Sequence, residues 1–183
     1  MKAQLVLLTL SVTLIVPGSS FADSPAAPKL TQDAPQKSTP RERATARFKE
    51  DAKIFSAEQR QEIERLYQAA NRQLKTPEAR ENLKQLVKKY PKSNRAGCAV
   101  QYLGQISSGK EREAYLKTAI KEHADCYYGS GVQVGAYARF YLADYYRKNG
   151  KAQEAEALYK EIRENFSDAV NHKGKLLRDI LPK

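Results

Sequence analysis

The strongest constraint on the fold is a series of apolar stripes at helical spacing, each ended by a helix-breaking signal. The first runs Ile63, Leu66, Tyr67, Ala70, Leu74, and the second Leu83, Leu86, Val87, Tyr90. A third holds Ala96, Ala99, Val100, Leu103 and Ile106; a fourth holds Leu116, Ala119, Ile120 and His123. Tyr137 or Ala138, Tyr141, Leu142 and Tyr145 make the fifth, and Ala155, Leu158, Tyr159, Ile162 and Phe166 the sixth. Val170, Leu176, Leu177 and Ile180 make a seventh. Spacings of three and four place such residues on one helix face. Pro91, Ser107-Ser108-Gly109, a glycine-bearing loop at 127–135 and Asn149-Gly150 separate the stripes. Ser56 with Gln59 reads as a capping box, and Thr76-Pro77 as a cap followed by proline at the first helical position. No segment alternates as a strand does. The prediction is an all-α chain of about seven antiparallel helices with short connections. No helix can bury its stripe alone, so they must stack.

The start of the chain reads differently. Lys2, the apolar stretch Leu5–Val16, the break at Pro17-Gly18 and Ser20-Phe21-Ala22 have the layout of a secretory leader cut after Ala22. The stretch is short for a bilayer span, which takes about 20 residues. Residues 23–40 hold four of the chain's eight prolines and little apolar surface, as a flexible tether does. Residues 41–53 are charged, with Phe48 nearly the sole anchor, and predict a marginal helix. The expected organisation is a leader at 1–22, a linker at 23–55 and a helical domain at 56–183. The expected location is periplasmic or secreted.

Export sets how cysteines and charge are read. Cys98 and Cys126 would meet an oxidising compartment, where an even count favours a disulfide over free thiols. Cys98 lies near the start of one helix and Cys126 just past the end of the next, ends that adjoin in an antiparallel hairpin. Their spacing fits no compact metal site. The formal charge is +11, mostly spread thinly. The clearest cluster is Lys84, Lys88, Lys89 and Lys92, with Arg80 and Arg95 beside it, read as a solvated helix face or a polyanion site. For an exported chain, nucleic acid is not the expected partner.

The helix ends repeat. Leu86–Ser93 resembles Ile162–Ala169, and Ala119–Ala124 plays the same part between them, giving steps of 33 and 43 residues. Periods near 34 with two helices each mark a helical solenoid. On residues 136–167 the chain resembles the tetratricopeptide-repeat family. Leu142-Ala143 stands for its Leu-Gly pair, Tyr146 for its inner-helix aromatic, Gly150 for its turn glycine, and Ala155, Tyr159 and Ile162 for its second helix. Arg139 and Ser167 depart from the pattern. A weaker unit has Leu103-Gly104, Gly109 and Ala114. The resemblance covers about residues 77–181, with Leu176-Leu177 as a terminal cap, and extends to small periplasmic envelope proteins of that family such as the Tol-Pal system coordinator.

That resemblance implies a concave groove for a protein partner of the cell envelope, lined by the free face of the inner helices. Its implied contacts are Tyr137, Phe140, Asp144, Arg147 and Lys148, with Gln101 and Gln105 earlier and Asn171 and Arg178 later. Tyr141, Tyr145 and Tyr146 read as core, while Tyr137 and Phe140 fit either role. No phosphate loop, nucleophile elbow or zinc signature is found, and neither a cofactor nor catalysis is expected. His123 reads as a packed residue and His172 as exposed. The alternative function is polyanion or cell-wall glycan binding through the Arg80–Arg95 face.

Overall fold

A computed structural model of the chain describes residues 38–72 and 76–182. They lie in one compact unit, Lys37–Lys183. The leader at 1–22 and residues 23–37 of the expected linker lie outside the described residues. Seven α-helices follow one another: α1 Pro40–Ile54, α2 Ala57–Arg72, α3 Pro77–Lys89, α4 Asn94–Ile106, α5 Gly109–Glu122, α6 Val134–Lys148 and α7 Ala152–Asn165. A 3-10 turn, Leu177–Ile180, closes the described fold. No strand is assigned among the described residues, only two isolated bridges. None of the described helices is long and apolar enough to cross a membrane.

The predicted stripes become one core. Ile63, Leu66 and Ala70 of α2 bury against Leu83 and Leu86 of α3, and the same layer continues through Leu103, Leu116, Leu142, Ala143 and Ile162. The predicted starts are built as expected. Ser56 and Gln59 bond reciprocally, and Thr76 caps Ala79 N at 3.1 Å. Helices pair as hairpins α2/α3, α4/α5 and α6/α7, while α2, α4 and α6 touch in sequence to form an inner row. Gly104 allows the α4/α5 crossing: a Cβ there would stand 2.7 Å from Leu116 Cδ2. The architecture is the predicted stack of helical hairpins.

Two elements differ from expectation. The seventh stripe is not an α-helix: Val170 bridges Leu176 across a tight loop before the 3-10 turn. Turn chemistry overrides the apolar spacing there. Asn171 Oδ1 accepts from Lys173 N and Lys175 N at 2.9 and 3.1 Å, and Gly174 takes φ 76°. The seventh helix is instead α1, a full 15-residue helix where a marginal one was expected. Thr39 and Glu42 form a capping box around Pro40. The helix docks through polar groups. Arg47 donates to Asp51 at 2.6 Å and to Lys92 O at 3.0 Å, and Asp51 accepts from Asn94 N at 2.9 Å. Only Ala44 and Asp51 of α1 are buried, so hydrophobic periodicity carried no signal of the docking.

Candidate functional site

Two of the hairpins end in the same inserted loop. The bridge Tyr127–Gln133 recurs 43 residues on as Val170–Leu176. Tyr128 N bonds Val132 O at 2.9 Å, and Asn171 N bonds Lys175 O at 2.9 Å. Val134 N and Leu177 N close the loops onto Cys126 O and Ala169 O at 2.9 and 2.8 Å. Gly131 and Gly174, with φ 91° and 76°, turn both loops in a region open to glycine. After α3 the connection is only Tyr90–Ser93. The loops lie together, with Ser130 Oγ 3.3 Å from His172 Nδ1. The His172 ring packs edge-on to Tyr128 and Tyr137, centroids 4.8 and 5.2 Å away. The desolvation this packing brings lowers the His172 pKa from the ordinary imidazole value.

These loops wall a cavity of about 480 Å³ against α2 and α4, within the size range of small-ligand sites. Tyr67, Gln68 and Asn71 come from α2, Arg95, Tyr102 and Gln105 from α4, and Tyr128, Ser130 and His172 from the loops. Arg95 is held in place: it bonds both Glu64 oxygens at 2.8 and 2.9 Å and lies over the Tyr67 and Phe48 rings at 4.2 and 4.9 Å. Burial raises the Tyr67 pKa, which keeps its hydroxyl neutral.

The residues expected at a groove divide. Gln105 lines the cavity. Gln101 is fully buried, so it cannot touch a partner directly; its Oε1 accepts from Gln105 Nε2 at 2.8 Å and bonds the Tyr128 hydroxyl. Tyr137 is buried and Phe140 half-buried beside it, the two rings stacked at 6.3 Å, with Tyr141 edge-on to both. Tyr146 is core, as expected, while Tyr141 and Tyr145 are half-buried. Asp144 takes both expected cations, Lys148 at 2.6 Å and Arg147 at 3.2 Å. Arg178 stands in the 3-10 turn, 3.6 Å from Asp179. None of these residues except Gln105 lines the cavity. Tyr102, Gln68, Asn71 and His172 were not predicted. The recurring Asp–Gly loop, at 125–131 and 168–174, was the signal that could have pointed to them.

The basic face is smaller than its sequence. Arg80 turns inward to Ser107 Oγ, Ile106 O and Glu111 at 2.9, 3.1 and 3.3 Å. Lys89 pairs with Glu62 at 2.7 Å and Arg95 with Glu64. Lys84, Lys88 and Lys92 are left exposed.

Cys98 and Cys126 are both buried and free, where a disulfide was expected. The adjacency of the two helix ends is real, but the residue facing Cys126 is Gly97, whose added Cβ would lie 2.5 Å from the Cys126 sulfur. Cys98 instead points its thiol at Tyr127 O, 3.4 Å away. Burial pushes both thiols up, Cys126 to about 12, against the opposing pull of Arg47, so neither is a ready nucleophile. A second hollow, about 430 Å³, holds His123, Glu122, Asp125 and Cys126. Burial lowers the His123 pKa more than the two carboxylates raise it. With a neutral thiol beside it, this hollow offers no activated nucleophile.

Stacked helical hairpins with an aromatic cavity on the inner row define a helical-repeat protein. The tetratricopeptide-repeat family model matches residues 66–93 and 137–169, which are α2/α3 from Leu66 onward and α6/α7 with the start of the second loop. Over those two segments the chain is similar to tetratricopeptide repeats, a type that generally mediates protein–protein interaction. The matched segments include α2, ahead of residues 77–181, and leave α4/α5 as an unmatched hairpin between them. Comparison with curated proteins and with solved structures gave no match.

Proposed function

We propose that this chain is a non-catalytic interaction module that seats a segment of a partner protein along its inner helices. The cavity between α2, α4 and the two repeated loops supports this reading most directly. Its lining combines three tyrosines with amide side chains on a rigid frame, the composition of a recognition surface. The site centres on Tyr102, Gln105 and Tyr128 rather than on α6, whose Arg147 and Lys148 are occupied by Asp144. The leader-like start of the sequence makes the proposed compartment the periplasm or the exterior, and the proposed partner a cell-envelope protein.

The test is site-specific photo-crosslinking in living cells. A photoreactive phenylalanine analogue at Tyr102 is expected to capture a discrete partner in the envelope fraction, and the same analogue at Lys84 is not. Capture at Lys84 alone, lost in high salt, would move the function to the basic face.

A further inference from the structure

Resting on that reading, we propose that the cavity takes an uncharged, extended stretch of polypeptide, gripped along its main chain by the side-chain amides of Gln68, Asn71 and Gln105.

Charge is the first argument. The chain carries +11, yet the described lining of the cavity includes one ionised residue, Arg95. Its charge is met by both oxygens of Glu64, and Tyr67 and Phe48 cover its plane. Among the described residues, an acidic ligand finds no free cation there and a basic ligand no free anion. The exposed Lys84 and Lys88 belong to α3 and are not in the lining. Burying a charge unpaired in this cavity would cost more than burying a neutral segment.

The amides are the second. A side-chain amide offers a carbonyl acceptor and N–H donors, the same groups as a peptide unit. Gln68 spends one N–H on Glu64 Oε1 at 2.6 Å, and Gln105 spends one on Gln101 Oε1 at 2.8 Å. Each is thereby oriented, with its carbonyl and its second N–H left for a ligand. Gln101, fully buried, steadies Gln105 from behind, and its own Nε2 has no hydrogen-bond partner among the described groups. Main-chain bonds of this kind supply affinity without reading sequence, and side-chain niches add the selectivity. Here the lining is aromatic, with Tyr67, Tyr102, Tyr128 and His172 around the cavity. Such rings suit apolar or aromatic side chains. An oligosaccharide could use the same rings, but hydroxyl donors bond most strongly to ionised carboxylates, and none is in the described lining.

The experiment uses the full chain and three probe sets: blocked short peptides with uncharged residues and one Leu or Tyr, the same peptides with added Glu, and linear neutral oligosaccharides. Binding is read by fluorescence anisotropy and calorimetry. The uncharged peptides are expected to bind best, changing less than about threefold between roughly 0.05 and 0.5 M salt. N-methylation of alternate peptide bonds should weaken them roughly tenfold, and so should the double variant Gln68→Leu/Gln105→Leu. The methylated probes leave the protein untouched, so they separate lost recognition from lost folding. Preference for the acidic peptides, weakening with salt, overturns the inference while leaving a peptide groove. Indifference to N-methylation also overturns it. Binding of oligosaccharide alone, or of no probe at millimolar concentration, overturns both the inference and the reading beneath it.

Discussion

Replacing Asp51 with Ala tests how α1 is attached. Asp51 is 5% exposed and accepts from Asn94 N at 2.9 and 3.2 Å and from Arg47 Nη1 at 2.6 Å. Its loss leaves the first N–H of α4 without a partner inside the fold. It also removes the closest anion from Arg47, whose side chain is 15% exposed. An orphaned buried donor costs about 1–3 kcal/mol, and breaking a buried ion pair from one side about 3–5 kcal/mol. Arg47 keeps Lys92 O at 3.0 Å and the exposed Asp125 at 3.6 Å, so the lower ends apply: about 4 kcal/mol in total, or a Tm fall of roughly 8–16 °C. Asp51→Asn retains an acceptor for Asn94 N and should cost about 1–2 kcal/mol. Urea unfolding by circular dichroism measures both, and hydrogen exchange shows whether α1 opens ahead of the rest. Arg47→Ala and Asp51→Ala together should cost clearly less than the sum of the singles. An Asp51→Ala protein within about 0.5 kcal/mol of the parent, with α1 amides still protected, would refute the polar-anchor account.

Gly104→Val should destabilise by about 1–3 kcal/mol in chemical denaturation, because its Cβ would meet Leu116 Cδ2 at 2.7 Å. Arg95→Lys keeps the charge but loses the two-point Glu64 contact and the cover of Tyr67 and Phe48; a thermal melt should register a loss of about 1–2 kcal/mol. Adjacent residues should separate binding from folding: Tyr102→Ala lowers partner affinity with little effect on the melt, whereas Leu103→Ala, fully buried, costs about 2–5 kcal/mol of stability. His123 is buried and its folded pKa is depressed by that burial. Below the unfolded value of about 6.5 the unfolded chain binds the proton first, so stability falls as pH drops through that window. His123→Phe, which places here the residue found at Phe166, should flatten part of that fall, read as Tm between roughly pH 7.5 and pH 5.5. An unchanged slope would remove His123 from the account.

The helices and their pairing were legible because burial leaves a periodic trace. Leu83 with Leu86, Leu103 with Leu116, and Ala155 with Tyr159 all went where their spacing put them. Caps were legible for the same local reason: Ser56 with Gln59 and Thr76 with Pro77 act within a few residues. The cavity was not. Gln68 and Tyr102 sit on helix faces that periodicity treats as solvent, and only the inserted loops enclose them. Gln101 illustrates the opposite error. Its polar type suggested a ligand contact, but the loop carrying Tyr128 covers it and turns it into a support for Gln105.

By itself, then, the sequence determined the elements and the hairpin stack, since apolar spacing, caps and breakers act over one or two helix turns. The tertiary structure alone decided three things: that α1 docks through Arg47 and Asp51, that Arg80, Arg95 and Lys89 are already neutralised, and that Cys98 faces a carbonyl while Cys126 faces Gly97. Each depends on partners tens of residues away. Polar pairs leave no period in the chain, because one well-placed contact suffices where a hydrophobic face needs a whole stripe.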